Sequence, residues 1–409
     1  MTAAPRAPVA PVEPAPVRPA GYAVVRAGRG TFLLHRRALL AGVLLAVLLA
    51  AVCVAYLCAG ERFVPPGEVL RVLAGQPSRS RLLVAELRLP RMVTGLLVGA
   101  ALGVAGALIQ TVARNPLASP DVIGVSQGAG AVTVAALTFG AGAGAETGSG
   151  SVLPWLPVAG GIAAAALVYV FAWRGGLHAI RFVLIGIGCA IALRSVTTLL
   201  MTKGDYRVAQ QAQIWLTGSL NGRGWDEAAP LGWTLLFLLP AVGWAARAQR
   251  TVALDDDTAT GLGVRLGRVR LGLVSLGVVL ASMATGAAGP VEFVALLSPQ
   301  IARRLTRTAA LPLGCSALLG ALLVVAADLL ARRLFAPTEL PVGVLTAAVG
   351  APYLIWLIRR GGRATGSARG GRGTGSVRGG RGLRSRPRRH AVDRTAAGGT
   401  DRPGKGVGA

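Results

Sequence analysis

The sequence of 409 residues has few charged residues, few histidines and few cysteines. Charged side chains make up 15% of it, and there are three histidines and four cysteines. No HExxH segment, CxxC pair or GxxxxGK(S/T) loop is present. These absences argue against a zinc hydrolase, a disulfide-stapled domain and a nucleotide-binding domain of P-loop type. We therefore expect no cofactor, no metal site and no catalytic residues.

Apolar residues are what the sequence has in excess. Hydrophobic residues make up 53% of it, and mean hydropathy is +0.58. Apolar runs recur between residues 38 and 358, and several reach the roughly 20 residues that cross a bilayer. The sequence therefore predicts an all-α, multi-pass protein of the plasma membrane. The ten predicted spans cover residues 38–59, 92–111, 122–142, 154–173, 182–201, 229–247, 271–288, 291–306, 312–331 and 342–358.

Two polar tails flank this apolar region. We predict a disordered N-terminal tail over residues 1–36, a transmembrane domain over 37–360 and a disordered basic tail over 361–409. From Arg359 onward the chain carries 14 Lys and Arg against two Asp. Arg-Gly repeats bind nucleic acid in some proteins, but beside a membrane domain we expect a tail near anionic lipid and no nucleic-acid partner. The basic tails and the even span count predict that both termini are cytoplasmic.

Glycines form a stripe along the second predicted span. Gly95, Gly99 and Gly103 recur every four residues, with Gly106 nearby. On a helix they share one face, which predicts close packing against a neighbouring helix.

A polar break, "RNPLASPDVIGVSQGAG", separates the second and third spans. Pro116 and Pro120 end a helix and fix a turn, while Asn115 and Asp121 can satisfy freed backbone groups locally. The residues alone therefore favour a structural role for this stretch.

Several motifs in order resemble one family. These are "LRLPRMVTG", "ARNPLASPD", "WLTGSL", "SPQIARRL", "ADLLAR" and "ELPVGVLTAAVG". Together they resemble the FecCD-type permease subunit of type II ABC importers for iron–siderophore complexes, haem and cobalamin. Many members have Pro-His where this chain has Pro299 and Gln300.

The resemblance implies about ten helices, a second permease copy of the same or another chain, a cytoplasmic ABC ATPase dimer and an extracytoplasmic substrate-binding protein. We expect a ferric siderophore as the transported substrate. A cobalamin or haem permease of the same family is one alternative. The alternative from another class is a secondary transporter driven by an ion gradient, which predicts a paired charge near the bilayer midplane.

The resemblance also implies site residues. Gln110, Asn115, Pro116, Gly128 and Pro299 belong to the motifs as structural elements, and Gln110 or Asn115 alternatively lines the pathway.

The segment "TVALDDDTATGLGVRLGRVR" resembles the family's coupling segment, which seats in a groove of the ATPase. Its candidate residues are Asp256, Asp257, Ala259, Leu262 and Gly263. The acidic start and basic end also suit an isolated capped surface helix without a partner.

Arg88, Arg91 and Arg332 match arginines that face acidic residues of the binding protein in this family. Alternatively, Arg332 pairs with Asp328 one helical turn earlier.

Overall fold

The computed structural model describes most of the chain. The described residues are 22–27, 30–60, 62–140, 155–173, 179–254, 256–308, 310–334 and 338–370. Residues 1–21 and 371–409 of the two predicted tails lie outside this set, as does Asp255 of the predicted coupling segment. The chain divides into two units, Met1–Trp356 and Leu357–Ala409, and the packing described below belongs to the first.

Thirteen α-helices run through the described residues, and a π-helical segment, Leu82–Arg88, leads directly into the third. The helices are α1 (Arg36–Cys58), α2 (Pro66–Leu73), α3 (Leu89–Ala113), α4 (Val125–Gly140), α5 (Leu156–Ala172), α6 (Ala179–Lys203), α7 (Tyr206–Leu216), α8 (Trp225–Val252), α9 (Asp256–Gly261), α10 (Leu266–Ala288), α11 (Val294–Thr306), α12 (Leu313–Leu334) and α13 (Val342–Gly370).

Each predicted span falls on one of these helices. Six helical segments of the described chain are long and apolar enough to cross a membrane: Arg36–Cys58, Leu82–Ala113, Ile180–Lys203, Trp225–Val252, Leu266–Ala288 and Leu313–Leu334. Three shorter apolar helices, Val125–Phe139, Leu156–Ala172 and Val342–Trp356, match three more predictions. The eighth predicted span corresponds to α11, which has only 13 residues. The helical membrane fold is confirmed, while the number of ten spans stays a prediction.

The predicted tail boundaries differ from the structure. Strands β1 (Tyr22–Ala27) and β2 (Gly30–His35) pair antiparallel, with Tyr22 opposite His35. Runs of β-branched and aromatic residues such as Val24, Val25 and Phe32 favour this extended structure, and disorder of the two tails stays a prediction. At the other end, α13 continues ten residues past the predicted boundary at residue 360. Adding residues to an existing helix costs far less than starting one.

Helix α3 lies at the centre of the helical unit. In its apolar window 78% of the residues are buried, against 72% in α10 and 61% in α12. The corresponding values are 11% in α1, 11% in α6 and 17% in α8, although these helices are also apolar enough to cross a membrane. Since exposed apolar faces of this size are not stable in water, lipid or another protein must cover the outer three helices.

The glycine stripe forms the seam between α3 and α12. A Cβ atom at Gly99 would lie 2.3 Å from the carbonyl oxygen of Gly320, and one at Gly320 would lie 2.1 Å from that of Gly99. One turn further, a Cβ at Gly103 would lie 2.1 Å from the carbonyl oxygen of Ser316. The two backbones are therefore in direct contact, as the spacing of the stripe predicted.

Candidate functional site

The polar break after α3 is a compact turn. Arg114 ends the helix with a left-handed backbone (φ 48°), and the Asn115 side-chain oxygen accepts a hydrogen bond of 2.9 Å from the amide of Leu117. Pro116 follows directly, where it cannot continue a helix. The Ser126 hydroxyl donates to the Asp121 carboxylate. This stretch closes on itself, which agrees with a structural role for Asn115 and Pro116.

Gly128 and Pro299 also serve packing. A Cβ at Gly128 would lie 2.5 Å from the carbonyl oxygen of Gly160, so α4 and α5 approach as closely as α3 and α12 do. Pro299 is buried inside α11. Both residues shape the helical unit, and neither presents a polar group to a pathway.

Gln110 takes part in a chain of buried amides between α3 and α11. Its side-chain nitrogen donates to the Leu296 carbonyl (3.1 Å), and its oxygen accepts from Gln300 (2.6 Å). Arg303 in turn donates to the Gln300 oxygen (3.1 Å). Gln110 is 3% exposed and Gln300 is 2% exposed. Gln300, which departs from the family pattern, thus completes the hydrogen bonds of Gln110, as a buried amide requires.

These amides border a cleft of about 210 Å³ beside the end of α3. Gln249 of α8 lies in its wall, donates to the Leu311 carbonyl (2.9 Å) and has a side-chain oxygen without a partner among the described residues. Seven of its eleven lining residues are polar or basic: Gln110, Thr111, Arg114, Asn115, Gln249, Gln300 and Arg303. The recess lies between α3, α8 and α11.

The predicted coupling segment folds as the short helix α9. The amide of Val264 donates to the Ala259 carbonyl (3.1 Å), and that of Gly263 donates to the Thr260 carbonyl (2.9 Å). This hydrogen-bond pair is the Schellman helix ending, which needs a left-handed residue at the position of Gly263 (φ 77°). Ala259 is fully buried, while Leu262 is 69% exposed. The segment is thus anchored on one side and presents a leucine on the other.

Asp256 fastens this segment to two longer helices. Its Oδ1 accepts from Arg114 Nη2 at 2.6 Å and from Arg270 Nη2 at 2.7 Å. The same Arg114 nitrogen also donates to the carbonyls of Val252 (3.2 Å) and Leu254 (2.8 Å). The hydrogen bond from Arg270, with the charges of both arginines, holds the pKa of Asp256 below its usual value. The carboxyl group is therefore ionised at neutral pH.

A second charged cluster lies at the opposite end of α3. Arg91 binds Asp328 of α12 with two hydrogen bonds, Nε to Oδ2 (2.9 Å) and Nη2 to Oδ1 (2.7 Å). Its Nη1 donates to Glu339 (2.9 Å), and the Tyr56 hydroxyl donates to Asp328. The side chains of Arg91 and Asp328 are 9% and 1% exposed. This cluster joins α1, α3, α12 and the segment before α13 in a dry environment.

Arg88 lies beside this cluster and binds only backbone. Its guanidinium donates to the carbonyls of Leu57 (2.7 Å), Cys58 (3.3 Å) and Arg62 (2.7 Å), and the residue is 4% exposed. These contacts cap the carboxyl end of α1, where a cation is favourable.

Arg332 also turns inward. Its guanidinium carbon lies 4.2 Å from the centre of the Tyr56 ring, and its Nε lies 3.9 Å from Asp328 Oδ2. The expected pairing with Asp328 is thus present but long, because Arg91 occupies the carboxylate at closer range. The docking role of Arg88, Arg91 and Arg332 stays a prediction. Their guanidiniums are used inside the helical unit, and the neighbouring Arg333 is the exposed one.

Sequence reasoning missed the partners of these charges. Arg91 and Asp328 are 237 positions apart, and Arg114 and Asp256 are 142 apart. The usable signal was chemical: a lone Asp inside an apolar run needs a cation, and several arginines were available. Among the described residues there is no group of three or more His, Cys, Asp or Glu side chains able to hold a metal ion.

The chain was compared with known proteins. A family model described as the FecCD transport family matches residues 45–360. The chain is 43% identical over 293 residues to the ferric enterobactin transport system permease protein FepG of Escherichia coli (strain K12), covering 71% of this chain and 87% of that protein. It is 41% identical over 314 residues to the achromobactin transport system permease protein CbrC of Dickeya dadantii (strain 3937), covering 76% and 89%.

A solved structure is similar as well. It is a metal-chelate type ABC transporter in an inward-facing conformation, with a TM-score of 0.66 and 26% sequence identity. The match covers 78% of this chain and 98% of the solved chain.

Proposed function

Because the chain belongs to the FecCD transport family, we propose that it is the membrane permease of an ABC importer that carries a ferric siderophore into the cell. The observation that carries the proposal is its similarity, over most of their length, to permeases named for ferric enterobactin and achromobactin. The chain supplies a pathway through the membrane, and a separate ATPase supplies the energy.

The polar cleft and the buried amide chain suit a pathway rather than a reaction site. Gln110 and Gln300 offer neutral hydrogen-bonding groups next to the recess, without a nucleophile or a metal-binding group among them. The ion-gradient alternative predicts a paired charge near the midplane. The charged clusters described above lie instead at the two ends of α3, which favours the importer.

We place the ATPase contact on α9 and the residues after it. Leu262 is exposed on a segment whose fold is fixed by Ala259 and Gly263, and Asp257 is exposed beside it. An exposed leucine held on a rigid turn is a suitable anchor for a groove on a partner. Through this contact, closure of the ATPase dimer moves the permease helices.

The binding protein docks at the other end of α3 in this proposal. Arg88 and Arg91 have no free surface, so the exposed arginines around them are the candidates, namely Arg62, Arg71, Arg79, Arg81 and Arg333. Exposed guanidiniums attract carboxylates and speed encounter. Reversing Arg333 to Glu slows association of the binding protein, measured by surface plasmon resonance on the reconstituted importer. If the association rate is unchanged, Arg333 does not take part in docking of the binding protein.

A second permease copy and lipid cover the apolar faces of α1, α6 and α8 in the assembled importer. Both termini and α9 then lie on the cytoplasmic side, and Arg91 lies on the opposite side. Accessibility of a cysteine placed at Leu262 to a membrane-impermeant reagent, in sealed vesicles of known orientation, tests this placement.

Uptake of iron tests the function. Cells that lack the gene should lose accumulation of ⁵⁵Fe given as ferric enterobactin or as ferric achromobactin, and the wild-type gene should restore it. The Leu262→Glu variant should insert normally but restore little uptake and retain less ATPase on purification. The matched control is Leu262→Met, which keeps an apolar side chain at the same exposed position. If cells without the gene take up both chelates as well as cells with it, the proposed substrate class is wrong.

A further inference from the structure

Asp256 makes contacts that a residue serving only as a helix cap would not need. A cap needs one side-chain oxygen directed at the backbone amides of its own helix. Asp256 instead receives two guanidiniums from distant parts of the chain, Arg114 at the end of α3 and Arg270 near the start of α10. One carboxylate therefore joins three elements at a single oxygen atom.

The Arg114 side chain extends this junction to a fourth element. Its Nη2 donates to the carbonyls of Val252, the last residue of α8, and Leu254, two residues further along the chain. The left-handed backbone of Arg114 turns the chain away from α3 at this point. The four elements at the junction are thus α3, α8, α9 and α10.

Two of these elements are central to the helical unit. Helices α3 and α10 are the most buried membrane helices described here, and they pack directly on each other, with Gly277 of α10 against Ile109 and Ala105 of α3. A displacement that reaches the ends of α3 and α10 therefore moves the core of the permease. By contrast, α9 has few contacts of its own, apart from the buried Ala259.

We propose that Asp256 is a positioning residue that links the coupling segment to α3 and α10 through Arg114 and Arg270. The inference rests on the proposed function, since it takes α9 as the place where the ATPase acts. When the segment moves, the two ion pairs carry the movement to both central helices. Without the charge, α9 keeps its fold and its exposed Leu262, but its movement is not passed on.

The solvent exposure around Asp256 suits ion pairs that form and break. The side chains of Asp256 and Arg114 are 48% and 43% exposed, so water competes for this pair, whereas Arg270 is 16% exposed and keeps its side of the junction in place. Other charges near α9 are Asp257, Arg265 and Arg268, which are exposed and belong to the same loop. Ion pairs that can open carry the movement of α9 to α3 and α10 without holding the permease in one conformation.

The variant Asp256→Asn tests the proposal with little risk of misfolding. Asparagine keeps the shape of aspartate without its charge, and the amides of Gly263 and Val264 still close α9, so the helix should remain intact while both ion pairs are lost. Asp226→Asn is the matched control, because it removes the same charge from an exposed residue of α8 that lies outside the proposed ATPase contact and makes no ion pair among the described residues. Asp256→Glu keeps the charge and should restore part of the function.

The measurement is amide hydrogen exchange of the whole importer in nanodiscs, with and without ATP and vanadate. In the wild type we expect ATP-dependent changes in residues 256–264, at the end of α3 and at the start of α10. In Asp256→Asn the change in 256–264 should persist, while the changes in the two helices should fall about three- to tenfold. Iron transported per ATP hydrolysed should fall by a similar factor.

The outcomes separate this inference from the function on which it rests. If the wild type shows no ATP-dependent change in residues 256–264, the proposed ATPase contact itself is wrong. If that segment responds but Asp256→Asn leaves the responses of α3 and α10 at wild-type size, only the link is refuted. An equal loss in Asp226→Asn also refutes it, because the removal of a negative charge anywhere would then explain the effect.

Discussion

The two ends of α3 carry the same chemistry in opposite environments. At one end Arg91 holds Asp328 with two hydrogen bonds, and the carboxylate side chain is 1% exposed. At the other end, about 37 Å along a helix of this length, Arg114 holds Asp256, whose side chain is 48% exposed. Burial is the main difference between the pairs, and it decides what each can do.

A buried ion pair is difficult to open. Separating Arg91 from Asp328 leaves two charges out of water without compensation, so this cluster fixes α1, α3 and α12 relative to one another. An exposed pair opens easily, because water replaces the lost partner. The permease thus has a rigid end, where a buried ion pair fixes the helices, and a releasable end, where an exposed ion pair can open. This is the arrangement that we expect if the ATPase moves the helices from one side of the membrane.

The largest effect is expected from Arg91→Ala at the buried end. The change leaves the buried Asp328 without its closest cationic partner, which should destabilise the helical unit by about 3–5 kcal/mol. Heating the detergent-purified protein and measuring the monodisperse fraction by size exclusion gives the result. Arg333→Ala is the control, since that arginine is exposed and donates to the Gly60 carbonyl at 2.7 Å. Equal thermal stability of the two variants would contradict a structural role for the buried cluster.

The second-largest loss of stability is expected from a substitution in the seam between α3 and α12. Gly320→Ala places a methyl group where the backbone of Gly99 lies, and forcing the helices apart should cost about 1–3 kcal/mol. Gly314→Ala on the same helix is the control, because nothing lies within 4 Å of its added atom. The same heating assay applies. A seam that tolerates alanine as well as position 314 does would mean that the rigid end depends on the ion pairs alone.

Local patterns in the sequence predicted the elements of this fold. Apolar runs placed every predicted span on a helix, and the four-residue glycine spacing predicted the α3–α12 seam. The acidic start and the glycine end of α9 predicted a short capped helix there. These features depend on neighbouring residues, so periodicity and capping rules are sufficient to find them.

Burial of the arginines could not be predicted in this way. Arg88 and Arg91 stand at the start of a helix, where sequence suggests solvent, yet carbonyls of the loop after α1 and a carboxylate of α12 enclose them. Likewise, the one-turn spacing suggests Arg332 as the cation for Asp328, while the closest cation is Arg91 of α3. Such contacts depend on how distant segments pack, which local rules do not contain.

The exposed end should show a much smaller coupling energy than the buried end. A double-mutant cycle with Arg114→Gln and Asp256→Asn should give about 0.2–1 kcal/mol, the range of solvent-exposed pairs. The same cycle with Arg91→Gln and Asp328→Asn should give a clearly larger value, because both partners are buried. Thermal unfolding of the four proteins in each cycle provides the energies. Equal coupling at both ends would show that exposure does not distinguish them.

A higher salt concentration should increase the difference in coupling energy between the two ion pairs, and this is the smallest effect that we expect. Raising ionic strength from about 0.1 M to about 1 M shortens the screening length from roughly 10 Å to roughly 3 Å. Ions reach the half-exposed carboxylate of Asp256, so the coupling between Arg114 and Asp256 should fall toward zero. They do not reach Asp328, so the coupling between Arg91 and Asp328 should stay the same within error. Repeating both cycles at the two salt concentrations tests this, with potassium chloride and sodium chloride compared to exclude specific ion binding. Loss of coupling at the Arg91 end instead would mean that water enters that cluster, and the division into a rigid and a releasable end would fail.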